Sequence, residues 1–141
     1  MKQPSFIPEF VETIPEVLEE DRMYISIRFR TASHLCACGC GSRVVTPIKP
    51  AKWKLTYDGE TVSLSPSIGR WQLPCRSHYW ICNNRVFWSR AFTEEEIETV
   101  LRSDAKDLRN YYAARQKPQQ SKPELAAKQS LLSRLWHRIT N

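Results

Sequence analysis

The chain has 141 residues, a net charge of +6, 41% hydrophobic and 11% aromatic residues. This composition supports one folded domain and excludes wholesale disorder. No apolar run approaches the ~18 residues of a membrane span, and the acidic, proline-broken start does not resemble a secretory signal. We therefore expect a cytoplasmic protein with no membrane span, in which the five cysteines stay reduced and indicate metal binding rather than disulfides.

Charge and composition divide the chain into segments. Residues 1–21 hold one Lys against six acids and predict an acidic N-terminal arm. Residues 22–90 hold eleven Lys and Arg against two acids, so this basic middle could bind nucleic acid, an acidic protein or the arm itself. We predict a zinc-stapled β domain with a helix over 22–115, a linker over 116–124 and a basic amphipathic helix over 125–141.

Alternation and turn dipeptides predict the strands. Over 22–37 the sequence RMYISIRFRTASHLCA places Ile25, Ile27 and Phe29 on one face, which indicates a half-buried strand. The dipeptide Asp58-Gly59 predicts a hairpin with a type I′ turn, and Asn83-Asn84 predicts a second two-residue turn. The core should therefore be antiparallel β.

The spacing of the apolar residues changes after the last predicted strand. Thr93 and Glu96 form a capping box, and the apolar residues that follow, such as Ile97 and Val100, recur at helical spacing. The predicted class is α+β, a small antiparallel β core with a zinc knuckle, followed by C-terminal helices.

The segment HLCACGCG, residues 34–41, holds three cysteines at alternate positions. In a regular strand their side chains would lie ~6.8 Å apart, too far to share one ion at Zn–S distances of ~2.3 Å. The chain must therefore curl, and Gly39 and Gly41 permit it. A closed zinc site needs a fourth ligand, for which the segment CRSHYWIC offers three candidates: Cys75, His78 and Cys82. With Cys75 the site would contain Cys36, Cys38, Cys40 and Cys75, and His78 would stay free.

A serine in the segment SLSPSIG, residues 63–69, is a candidate nucleophile. Ser67 precedes a turn-capable Ile68-Gly69, whose amides could form an oxyanion hole. Serine needs a base, and histidine suits this role near neutral pH. His78 is the predicted base. The alternatives are Ser65 or Ser77 as nucleophile and His34 as base.

Three segments together, HLCACGCG, WKLTYDGETVSLSPSIG and CRSHYWI, resemble a bacterial family of small Cys/His proteins. Members of that family are encoded beside a multi-ubiquitin-like protein, an activating enzyme and a diverged conjugating enzyme. The resemblance spans about residues 22–90. The chain departs from it with Arg70 where the family has Asn, and Cys82 is not part of the pattern.

The resemblance implies a serine protease of a ubiquitin-like conjugation pathway, with a role in antiphage defence. It implies Ser67 as nucleophile, His78 as general base and a structural Zn²⁺ on the four cysteines. The expected partners are a ubiquitin-like protein and its activating or conjugating enzymes, and Trp53, Trp71 and Trp80 could line a groove for its tail. A non-catalytic zinc module that binds these partners is the alternative, and a nucleic-acid-binding zinc module is a third hypothesis, although nucleic acid is the less expected partner.

Overall fold

The computed structural model describes residues 4–116. This range contains eight strands and one helix: β1 (Ile7–Phe10), β2 (Arg22–Ser26), β3 (Thr31–Leu35), β4 (Arg43–Pro47), β5 (Lys54–Tyr57), β6 (Val62–Gly69), β7 (His78–Cys82), β8 (Arg85–Trp88) and α1 (Glu94–Gln116). The sheets and most of the helix form one compact unit, Met1–Tyr111. The described helix lacks the apolar length that crossing a membrane requires.

The strands form two four-stranded sheets, β1-β2-β3-β4 and β5-β6-β7-β8, which confirms the α+β class. Every neighbouring pair is antiparallel except β1 and β2, which run parallel. The predicted helix over 125–141 and nearly all of the predicted linker lie outside the described residues, and the domain boundaries stay predictions.

The core lies between the two sheets. Sheet one contributes Met23, Ile25, Ala32 and Val44, and sheet two contributes Val62, Leu64, Ile68, Tyr79, Ile81 and Val86. Each set follows the alternation of its strands, so its members share the core-facing side of their sheet. In β2 and β3 the opposite side is buried as well, at Tyr24 and Ser33. Buried hydroxyls on the first sheet bond to its main chain: Ser33 Oγ donates to Val44 O at 3.0 Å, and Thr46 Oγ1 donates to Ala32 O at 3.1 Å.

The single long strand predicted over residues 22–37 is wrong, because a hairpin interrupts it. Ser26 pairs with Thr31, and Arg30 adopts a positive φ of 49° in the loop between them. Ile27 and Phe29 are consequently exposed, at 64% and 56%. The alternation of apolar and polar residues continues through this loop, so the sequence pattern could not indicate that the chain reverses here.

The structure confirms the two-residue turn predicted at Asn83-Asn84, whereas the type I′ turn predicted at Asp58-Gly59 is wrong. Tyr57 pairs with Val62, so Asp58-Gly59 lies in a four-residue loop, where the Asp58 carboxylate accepts hydrogen bonds from the amides of Glu60 and Thr61. Between Cys82 and Arg85, by contrast, Asn83 and Asn84 both have positive φ, 47° and 66°. The two-residue turn with the type I′ signs is therefore at the asparagines.

The capping box is confirmed at the start of α1. The Thr93 amide donates to Glu96 Oε2 at 2.9 Å, and the Glu96 amide donates to Thr93 Oγ1 at 3.3 Å. Ile97 is the buried residue of the described helix.

The acidic arm contacts part of the basic middle. Arg22 pairs with Glu9 at 2.9 Å, and Arg28 pairs with Glu12. Both pairs are exposed, so they contribute little to stability, but they occupy two of the arginines that a nucleic acid would need.

Candidate active site

Ser67 lies in an irregular part of β6. Leu64 pairs with Ile81, and the next pair is Ile68 with Tyr79, so three residues of β6 stand opposite Trp80 alone. Extra residues in one strand form a bulge, which bends the strand and re-aims its side chains. The Ser-Pro-Ser sequence at 65–67 supplies this bulge, since proline has no amide to donate to a ladder.

His78 opens β7 and faces the same side of the sheet as Ser67. Its partner across the ladder is Gly69, which has no side chain, so the imidazole can reach the diagonal neighbour two residues away. His78 Nε2 lies 2.8 Å from Ser67 Oγ. The structure therefore brings together the serine and the histidine that the sequence analysis preferred.

Aromatic rings surround the His78 imidazole. The ring centroids of Phe92 and Trp71 lie 4.4 Å and 4.7 Å from its own, both edge to face, and Trp80 lies at 6.4 Å. Burial among these rings lowers the pKa of His78 below 6.5, the backbone of Arg90 partly opposes this shift, and the Arg90 charge adds to the lowering. The lowered pKa favours the neutral imidazole, which is the form that can accept a proton.

The second ring nitrogen of His78 lacks a carboxylate. Nδ1 is buried and makes no hydrogen bond of ordinary geometry within residues 4–116, although the Arg90 backbone is close enough to oppose the lowering of the His78 pKa. Asp104 of α1 is the acidic residue that lines the same cleft as His78, and it is exposed. The described residues therefore present a serine and histidine pair, with the imidazole positioned by ring packing.

A cleft of about 660 Å³ opens beside this pair. Its lining includes Ser67, His78 and all three tryptophans expected to form a groove, Trp53, Trp71 and Trp80. Phe92 and the α1 residues Val100, Leu101 and Asp104 complete one wall. The sequence analysis missed Phe92 and the helix residues, because their contribution depends on where α1 packs; the only local signal was the position of Phe92 just before the helix cap.

The alternative site residues lie elsewhere. Ser65 is exposed on β6, where it pairs with Lys54. Ser77 Oγ lies 3.0 Å from Cys36 Sγ and 3.5 Å from Cys75 Sγ, so it faces the cysteines. His34 is fully buried, and its Nε2 lies 2.9 Å from the Tyr79 hydroxyl. Burial, helped by the Arg70 charge, lowers the pKa of His34 to about 3, which makes it a neutral core residue.

The four predicted cysteine ligands lie together. The Sγ atoms of Cys36, Cys38, Cys40 and Cys75 are all within 4.8 Å of one another. The first three follow β3 in a tight loop in which Gly39 and Gly41 have positive φ, 82° and 73°, as the curling argument required. Tetrahedral Zn–S bonds of ~2.3 Å separate the sulfurs by roughly 3.8 Å, so the cluster needs little adjustment to accept an ion.

The local environment shifts the pKa values of the Cys40 and Cys38 thiols in opposite directions. The Ser42 hydroxyl and amide lower the pKa of Cys40 to about 6, whereas burial is the main cause that raises the pKa of Cys38. Thiolates are the form that binds zinc. Cys82 is exposed at the end of β7 and lies outside the cluster, in agreement with its absence from the family pattern.

Two comparisons found no relatives: no curated protein and no solved structure matches this chain. Against known families, residues 10–89 match one described as "Bacterial ubiquitination-like system serine protease (BubE)". The matched stretch contains Ser67, His78 and the four clustered cysteines, and it ends before α1 begins.

Proposed function

The chain belongs to the family of bacterial ubiquitination-like system serine proteases (BubE), and from this premise we propose that it cleaves a ubiquitin-like protein through Ser67 and His78. The observation that carries the proposal is the 2.8 Å contact between Ser67 Oγ and His78 Nε2 at the edge of an open cleft. The bond cut would follow the C-terminal residue of the ubiquitin-like protein, in a precursor or in a conjugate.

The chemistry follows from the two side chains. Ser67 Oγ attacks the carbonyl carbon while His78 Nε2 takes the hydroxyl proton. The tetrahedral intermediate then collapses, and the imidazolium gives the proton to the leaving amine, which leaves an acyl-enzyme on Ser67. Water, deprotonated by His78, attacks the ester, and the released Ser67 recovers its proton.

Ring packing replaces an acidic third member in this proposal. Trp71 and Phe92 hold the imidazole edge to face and keep it desolvated. A lowered pKa makes the imidazole a weaker proton acceptor, but it increases the fraction that is neutral at pH 7, and in this proposal the pair works without a carboxylate. In the wild type, kcat/KM should therefore rise with pH through a pKa below 6.5 and stay level above it.

We also propose that the four clustered cysteines hold a structural Zn²⁺. Four thiolates close a tetrahedral site and leave no position for a water, so the ion would stabilise the fold rather than activate a nucleophile. Cys75 lies three residues before His78, so the ion would fix the segment that leads into the base. A cytoplasmic location is part of the same proposal, because it keeps these thiols reduced.

Cleavage of the ubiquitin-like precursor, followed by intact mass, tests the function. Wild type and Ser65→Ala should cleave, whereas Ser67→Ala and His78→Ala should lose roughly 10³-fold or more. Ser65 is the matched control, because it lies on the same strand two residues away and makes no contact with His78 in the described structure.

Two results would overturn the proposal. Retained cleavage by Ser67→Ala would exclude the assigned nucleophile. Absence of cleavage by a folded, metal-loaded wild type would favour the non-catalytic module that binds the same partners.

A further inference from the structure

The second half of β6 has a neighbouring strand on one side only. β6 has eight residues and β5 has four, and the last pair between them joins Lys54 to Ser65. From Pro66 to Gly69, β6 therefore has β7 on one side and, within the described residues, no strand on the other. An unpaired strand edge is a template for another extended chain.

The chain before β5 turns away from this edge. The Trp53 amide donates to Pro47 O at 3.3 Å, and the Lys49 amide donates to Trp53 O at 3.1 Å. These bonds tie residues 49–53 to the end of β4. Lys52 and Trp53 line the cleft together with Pro66, Ser67 and Gly69 of β6, so the cleft lies beside the part of β6 that β5 does not cover.

The main chain of Gly69 points into that space. The Arg70 amide donates to Ser77 O at 2.9 Å, which makes Arg70 and Ser77 a hydrogen-bonded pair. Hydrogen-bonded and non-hydrogen-bonded pairs alternate in an antiparallel ladder. Ile68 and Tyr79 are therefore also a hydrogen-bonded pair, and Gly69 and His78, which lie between the two, are a non-hydrogen-bonded pair. The N–H and C=O of Gly69 are thus directed away from β7. The Ile68 amide, expected in an oxyanion hole, faces β7 instead.

We propose that an extended segment of the protein substrate adds to this sheet as a strand beside Gly69. The inference rests on the proposed function, since it defines how the substrate reaches Ser67. Main-chain groups of the segment bond to the N–H and C=O of Gly69, in line with β5. The occupant must be extended, because a helix has satisfied its own main-chain groups.

The position of Gly69 sets the register. Alternate residues of a strand lie ~6.8 Å apart, so the substrate residue that pairs with Gly69 is about two residues from the carbonyl at Ser67. This spacing also makes Gly69 a partner for the substrate main chain rather than a donor to the oxyanion. Recognition by main-chain bonds tolerates different side chains, and the aromatic walls of the cleft restrict their size.

Binding of a short peptide with the C-terminal sequence of the ubiquitin-like protein tests this proposal. The Ser67→Ala variant serves as the receptor, because it retains the cleft and does not cleave the peptide. A series of peptides, each N-methylated at one backbone amide, removes one donor at a time. We expect a loss of at least roughly fivefold at one position, with little effect at the adjacent position, and a shift of the Gly69 amide resonance on binding.

The outcomes separate this inference from the proposed function. Equal effects of methylation at every position, an unmoved Gly69 resonance or no binding would each overturn strand addition. Because the receptor carries no nucleophile, none of these results depends on catalysis, which the cleavage assay reports by itself.

Discussion

At the scale of single residues, Gly69 leaves room for the Trp71 indole to pack beside the His78 imidazole. A Cβ built on Gly69 would lie 2.3 Å from the Trp71 ring, so the indole lies directly against this glycine. The same indole contacts the imidazole of His78. Gly69 has no positive φ, and the requirement for glycine is therefore steric rather than conformational.

Gly69→Ala should lower kcat/KM by roughly 10²-fold, because a displaced Trp71 no longer positions His78 and small misplacements cost about that much. The measurement is the cleavage rate together with the thermal midpoint. Gly59→Ala is the matched control: a Cβ there meets nothing within 4 Å, but φ is +103°. That variant should lose stability through backbone strain and retain full activity. Full activity of Gly69→Ala would contradict the positioning role of Trp71.

At the scale of elements, the cysteine cluster links two loops. Cys36, Cys38 and Cys40 follow β3 in the first sheet, and Cys75 lies in the segment that joins β6 to β7 in the second. A bound ion would therefore connect the two sheets close to the site. Small domains commonly need such a link, because their cores are limited.

Cys75→Ser should abolish the zinc binding proposed for the cluster and lower the thermal midpoint by about 10 °C or more, since each kcal/mol shifts the midpoint by about 4–8 °C in a domain of this size. Zinc content by mass spectrometry and the thermal midpoint report the two effects. Cys82→Ser is the control, because Cys82 is an exposed cysteine outside the cluster. Equal zinc in both variants would exclude Cys75 as a ligand.

At the scale of the whole molecule, one buried histidine connects the sheets. His34 of β3 contacts Tyr79 of β7 across the core, and the Phe6 ring lies 4.6 Å from its own. His34 Nδ1 is buried without a hydrogen-bond partner in the described part of the chain. The folded protein therefore keeps this imidazole neutral, whereas the unfolded chain protonates it near pH 6.5.

The sign of the pH dependence follows from this difference. Between about pH 6.5 and the folded-state pKa of about 3, the unfolded chain binds more protons, so the free energy of unfolding falls as the pH falls. His34→Gln removes this titration. We expect its stability loss relative to the wild type to be smaller at pH 5 than at pH 7, by chemical denaturation. An NMR titration of the wild type in which the His34 ring protonates near pH 6 would contradict the prediction. This measurement does not depend on whether His34→Gln folds.

The sequence by itself determined the chemistry that is local. The capping box needs only Thr93 and Glu96 at the right spacing, and the glycines among the cysteines marked where the chain must curl. The resemblance then selected Ser67 and His78 from several serines and histidines. These assignments depend on residue type and short spacing, which a sequence displays directly.

Only the tertiary structure decided what depends on register and packing. The hairpin at residues 27–30 interrupts the strand, although the alternation of apolar and polar residues continues through it. The bulge at 65–67 decides which residue of β6 faces His78. The rings of Trp71 and Phe92 reach the imidazole from separate loops, and β5 stops short of Gly69 because residues 49–53 bond to β4. A one-residue change of register exchanges the two faces of a strand, and the free energy that selects the register comes from the packed core rather than from the strand alone.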